Sequence, residues 1–181
     1  MEKLIRELLI KIGEDPDREG LKRTPQRVSK GFEFLTKGYR EDPLELIADA
    51  IYNEQCNHMI IVKDIEFYSL CEHHMLPFYG NCYIGYISKN RVYGVSKLAR
   101  VVECYSRRLQ VQERLTQQVA RILKDAIKAE GVGVVMEARH LCMMMRGVQK
   151  QNSIMVTSAM LGSFHDDPAT RTEFLDLIGR R

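Results

Sequence analysis

The chain has 181 residues, 27 of them Lys or Arg and 24 Asp or Glu, for a formal charge of +3 with the histidines neutral. Its 45% hydrophobic and 28% charged residues fit a globular domain with its own core and exclude global disorder. No uncharged apolar run approaches the ~18–20 residues that cross a bilayer, the basic residues are scattered, and the charged start MEKLIRELLIKIGED does not read as a signal peptide. Neither a membrane nor nucleic acid is expected as a partner, and the location expected is cytoplasmic. Five cysteines, Cys56, Cys71, Cys82, Cys104 and Cys142, are odd in number and widely spaced, as reduced thiols are.

In chain order, Leu4, Ile5, Leu8, Leu9 and Ile12 predict an amphipathic helix closed by a left-handed Gly13. Thr24-Pro25 and Asp42-Pro43 are two further helix starts, the first helix running to Gly38 and the second to about Ile51. From Met59 the chain turns β-rich: Met59–Leu70, Tyr79–Ile87 and Arg91–Val95 are expected as antiparallel strands, the last two joined by a turn at Lys89-Asn90. A helix capped by Ser96 and a second one through Leu115–Ile127 follow, then strands Val132–His140 and Ser153–Met160 and a short helix around Phe174. Grouped strands and grouped helices argue α+β with an antiparallel sheet. The chain divides into an N-terminal helical region, 1–55, and a core, 56–181, within one domain.

Cys71-Glu72-His73-His74 sits just after a predicted strand, and a turn there lets Cys71 and His74 converge while His73 faces away. His140-Leu141-Cys142 ends another strand, where residues two apart share a face. Thiolate and imidazole donors at irregular spacing favour zinc held by three ligands with a fourth position for water, whose pKa the metal lowers toward ~7. The alternative for these residues is a buried thiol and hydrogen-bonded histidines, which is the reading preferred for Cys56, Cys82 and Cys104. His58 and His165 are read as structural or solvated. A further group, Ser96, Lys97, Arg100, Gln112, Glu113 and Arg146, offers cations for a polyphosphate and a carboxylate for a guanine-like base. A solvated helix face is the competing reading, and it is the default for Arg107, Arg108 and Arg114. P-loop, Rossmann, HExxH and zinc-deaminase patterns do not occur.

Cys71-Glu72-His73-His74, Gly94-Val95-Ser96-Lys97-Leu98, Gln110-Val111-Gln112-Glu113-Arg114-Leu115-Thr116 and His140-Leu141-Cys142 with Met145-Arg146-Gly147-Val148 together resemble GTP cyclohydrolase I, as does Thr24-Pro25-Gln26-Arg27. Leu109 departs from members that carry proline there, which leaves φ free at that turn. The resemblance implies the tunnelling fold, with two helices on one face of the sheet, assembled into a toroidal homodecamer with active sites between subunits. It implies zinc on Cys71, His74 and Cys142, with His73 and His140 off the metal for proton transfer. Glu113 and Gln112 would hold the guanine edge, Lys97, Arg100 and Arg146 the triphosphate, Ser96 the ribose or phosphate region, and Arg27 an additional phosphate. The implied reaction converts GTP to formate and 7,8-dihydroneopterin triphosphate at the entry to pterin and folate synthesis. A nucleotide-binding zinc protein without turnover, or another tunnelling-fold pterin or deazapurine enzyme, are the alternatives.

Overall fold

Apolar residues at helical spacing build α1 (Glu2–Lys11), α2 (Thr24–Leu35) and α3 (Pro43–Ala48), with a 3-10 turn, Lys37–Arg40, between the last two. The computed structural model describes residues 1–179; Arg180 and Arg181, part of the expected core, lie outside the described residues. Gly13 has φ +94°, the left-handed geometry expected of it. Gly38 serves another purpose than ending α2, which stops at Leu35: a Cβ there would meet the Cys104 carbonyl oxygen, so glycine lets the 3-10 turn press against the backbone of a core helix. Asp42 caps α3 by accepting from the Leu44 N–H at 2.8 Å, whereas Arg23, not Thr24, occupies the N-cap of α2.

After β1 (Ile51–Asn53), part of the first long strand alternates between a buried and an exposed face. Along β2 (Ile60–Cys71), Ile65, Phe67, Ser69 and Cys71 are buried, while Glu66 and Tyr68 between them are exposed. β3 (Pro77–Ile87) pairs antiparallel with it, and β4 (Arg91–Tyr93) follows. The expected hairpin of β4 with β3 does not form. β4 pairs instead with β1 in a separate two-stranded sheet, and Ile51, expected to end a helix, opens that strand. α4 (Val95–Ser106) starts after Gly94, so Ser96 lies inside the first turn and caps nothing. β5 (Leu109–Gln110), α5 (Gln112–Ile127), β6 (Gly131–His140), α6 (Leu141–Met144), β7 (Met155–Gly162), α7 (Ser163–Asp166) and α8 (Pro168–Leu177) complete the chain.

The main sheet has the order β5-β2-β3-β6-β7, antiparallel except for the two-residue β5, which runs parallel to β2. α4 and α5 cover one face, where Leu98, Val101, Leu115 and Val119 join Phe67, Phe78, Ile84 and Val134 in the main core. This is the α+β arrangement expected. The opposite face is covered at one end only, by α7 and α8, whose Phe164 and Phe174 pack over Gly85 and Gly133; a Cβ on Gly133 would come within 2.5 Å of the Phe164 ring. Phe174→Ala would empty a fully buried site, and denaturant titration is expected to show a loss of about 3–5 kcal/mol. A loss under about 1 kcal/mol would mean that α8 does not contribute to the cooperative core. Among the described residues no helix is long and apolar enough to cross a membrane.

Candidate metal centre and active site

The turn after β2 is built by its own backbone. The Cys71 carbonyl accepts from the N–H groups of His74 (3.2 Å) and Met75 (2.8 Å), and the Cys71 N–H donates to the Leu76 carbonyl (2.9 Å). Met75 takes φ +54°, the left-handed step that closes the turn. His74 Nδ1 thereby comes 3.6 Å from Cys71 Sγ, while the His73 side chain remains 64% exposed.

The third thiol arrives by a different route from the one expected. β6 stops at His140, and the chain enters the single turn α6, so His140 and Cys142 do not share a strand face. That turn brings Cys142 to the other two, and the ligand atoms of Cys71, His74 and Cys142 lie within 4.8 Å of one another. Burial, with the nearby Cys71 thiol adding to it, pushes the Cys142 thiol above its ordinary pKa. Two soft sulfur donors and one imidazole suit zinc, and three protein donors leave a coordination position open.

The short strand β5 decides what stands beside this cluster. It pairs Gln110 with Cys71, and the Glu72 N–H donates to the Gln110 carbonyl at 3.0 Å, which places the first turn of α5 at the metal turn. Arg114 makes a two-pronged contact to the Glu72 carboxylate at 2.6 and 3.0 Å, a bond that holds Glu72 below the usual carboxylate pKa. Arg114 is exposed, as expected of a solvated helix face; its pairing with Glu72 follows from the pairing of β5 with β2, which the sequence does not signal. Arg107 and Arg108 do leave the solvated reading: Arg107 is buried over the Phe34 ring with its Nε on Glu103, and Arg108 lies over Tyr105.

His140 stacks on Phe78, its partner in the β3–β6 register, with ring centroids 4.6 Å apart and planes 3° from parallel. Burial holds its pKa below the ordinary value, opposed in part by Glu113. His140 Nε2 lies 2.8 Å from Gln112 Oε1, and Gln112 is itself almost fully buried, its amide nitrogen within 3.0–3.1 Å of the Met136 and Met155 carbonyls and the Thr157 hydroxyl. Glu113, next along, is exposed, and Arg146 reaches His74 with Nη1 3.2 Å from Nε2. A cleft of about 320 Å³ lies against His140 and Cys142, with Met143, Ser153, Ile154 and Met155 on its other walls.

Ser96, Lys97 and Arg100 are not in this group. They occupy the first half of α4, from about 15 Å (Ser96) to about 9 Å (Arg100) along the helix from its C-terminal end. There Lys97 Nζ bonds Asp49 Oδ1 at 2.5 Å and holds that carboxyl below its usual pKa, with Arg100 close enough to add to the effect. Arg27 is exposed on α2. Of the remaining thiols, Cys82 and Cys104 are buried and pushed upward by burial, and Cys56 Sγ lies 3.5 Å from His58 Nε2.

Comparison with known proteins places the geometry in a lineage. The chain is 56% identical over 178 residues to a GTP cyclohydrolase 1 of Leptospira biflexa, covering 98% of this chain and 97% of the relative. It is 55% identical over 181 residues to the Methylococcus capsulatus protein of the same name, covering 100% and 98%. In structure, the archaeosine synthase QueF-Like in its apo form superposes with a TM-score of 0.50 at 16% identity, over 60% of this chain and 97% of that one, a likeness of fold alone. The sequence profile described as GTP cyclohydrolase I matches residues 1–179, and with this agreement over the full length the chain belongs to the GTP cyclohydrolase I family.

Proposed function

We infer that this protein hydrolyses GTP, releasing C8 of the guanine as formate and yielding 7,8-dihydroneopterin triphosphate. The observation that carries the reading is the convergence of Cys71, His74 and Cys142 on one point beside His73 and His140, in a chain of this family. The donor set fits zinc, which when bound supplies a water activated near neutral pH for the hydrolytic steps.

The chain's own residues do the rest. His140, buried on one side and stacked on Phe78, gives a proton to N7 of the imidazole ring as it opens. His73, exposed beside the same turn, serves as a second proton carrier. Glu113 accepts from the ring N–H and amino group of guanine, a pair of donors that a carboxylate matches. Arg146, at the metal turn, meets the phosphate end of the substrate, and Arg27 adds a peripheral phosphate contact.

Ser96 and Lys97 stand in the first turn of α4 and Arg100 one turn further on, outside the group around the metal turn, so their role in triphosphate binding is read as reaching the site of a second copy. This supports a homo-oligomer with sites shared between neighbours, for which the family resemblance implies a toroidal decamer. Exposed Tyr52, Tyr68, Val95 and Val156 are consistent with surfaces that another subunit covers. Lys97 is held by a surface carboxylate that competes with phosphate. Asp49→Asn is therefore expected to lower the KM for GTP by about 1.5- to 5-fold, the worth of one ion pair whose carboxylate is exposed. An unchanged or raised KM in steady-state kinetics would remove Lys97 from the phosphate site.

The function is tested by incubating the protein with GTP and following formate and pterin absorbance together, before and after chelation and after zinc is restored. Both products, lost on chelation and regained with zinc, are expected. Stoichiometric zinc with neither product would move the protein to a binding role.

A further inference from the structure

The hydrogen-bond network beneath His140 has only one self-consistent arrangement of its protons. Thr116 Oγ1 donates its single hydrogen to the Gln112 carbonyl at 2.7 Å. The Thr116 and Thr157 hydroxyls are 2.7 Å apart, so Thr157 must donate to Thr116, and Thr157 Oγ1 is left to accept from Gln112 Nε2 at 3.1 Å. The same nitrogen faces the Met136 and Met155 carbonyls at 3.1 and 3.0 Å. Turning the amide over would set its oxygen against two carbonyl oxygens in a buried site, an arrangement with no donor between them. The amide oxygen therefore points to His140, and because it can only accept, His140 Nε2 must carry the hydrogen of that 2.8 Å bond.

We propose that Gln112 is a positioning residue: its anchored amide holds a hydrogen of His140 on Nε2 and so makes Nδ1 the nitrogen that exchanges a proton with the reacting purine. Two constraints divide the work. Stacking on Phe78 sets the plane of the ring, and Gln112 sets which edge of the ring points inward. Gln112 acts through His140 and does not itself read the guanine edge, since it is 1% exposed and both ends of its amide are engaged inside the fold. The base-reading role stays with exposed Glu113 beside it. The opening turn of α5 thus presents one residue inward to the proton-transfer group and the next outward to the substrate.

This inference rests on the reading of His140 as the proton-transfer residue, and its test separates the two. In zinc-loaded, full-length protein labelled with ¹⁵N-histidine, solid-state ¹⁵N spectra distinguish a nitrogen bearing hydrogen from one that does not. Loss of its signals in His140→Ala assigns the residue. Wild-type His140 is expected as the Nε2–H form, and a hydrogen on Nδ1 alone overturns the proposal whether or not GTP is turned over. Gln112→Met keeps the side chain's length without its acceptor; kcat is expected to fall about 10- to 100-fold with KM for GTP within about twofold, and both ring forms should then appear. A raised KM with kcat unchanged would instead make Gln112 a guanine contact. In the His140→Ala background, Gln112→Met should add little further loss, whereas full multiplication of the two losses would show action independent of His140. Should Gln112→Met fail to fold, Thr157→Val tests the same anchor with a smaller change: it is expected to lower kcat and leave KM in place, and wild-type kinetics would overturn the network's role.

Discussion

Cys142→Ala is expected to lose bound zinc and turnover together, with formate production falling by at least ~10³-fold, because water without the metal is far harder to ionise than the bound water, whose pKa is ~7. Cys142 is the donor that closes the cluster, delivered by a single helical turn from the end of β6, and its removal leaves Cys71 and His74 on one loop. Two donors on a short turn hold zinc far less well than three. Cys142 is only partly buried, at the margin of the main core, and Ala removes a single sulfur there, so the circular dichroism spectrum should stay close to that of the wild type. Zinc content measured by elemental analysis, alongside the formate assay, decides the matter. Full turnover in zinc-free protein would end the assignment of these residues as a metal site.

His140→Ala should separate chemistry from metal binding. The ring is outside the group of converging donors, so zinc is expected to remain at wild-type stoichiometry while kcat falls by about 10²- to 10⁴-fold, the range of a positioned general acid. Because the imidazole packs on Phe78, its loss also leaves a partly empty slot against β3, and an expected decrease in stability of about 1–3 kcal/mol accompanies the kinetic effect. Loss of zinc in this variant would make His140 a ligand. Undiminished kcat would require another proton donor, and His73→Ala in the same assay would show whether the exposed imidazole fills that role.

The two substituted residues lie two positions apart yet meet different partners, Cys142 the Cys71–His74 turn and His140 the Phe78 ring and Gln112, and the difference shows what each kind of information carries. Cys71 and His74 were legible as a pair because a four-residue turn brings them together whatever the rest of the molecule does. The amphipathic helices and the β-rich strands were legible for the same reason: helical spacing and runs of β-branched and aromatic residues are properties of near neighbours in sequence. Gly13 belongs with them, a residue whose conformational freedom answers a need of its own turn.

What the sequence by itself determined, then, was local: element types, the Cys-x-x-His turn, and the grouping of strands and helices that makes the fold α+β. Tertiary structure decided the pairings and the facings. β4 takes β1 as its partner and leaves β3, and β5 joins β2 in parallel; strands of two or three residues carry too little pattern to specify a neighbour, and the packing around them selects it. That small β5 pairing sets the first turn of α5 beside Cys71, and with it the Arg114–Glu72 contact. The docking of α5 on β6 and β7 turns Gln112 inward to His140 and leaves Glu113 outside, a distinction between adjacent residues that depends on the helix's rotation about its own axis. Lys97 meeting Asp49 across 48 positions is of the same kind. Chemistry-bearing residue types are written in the chain, but which of them face one another follows from how its surfaces are buried together.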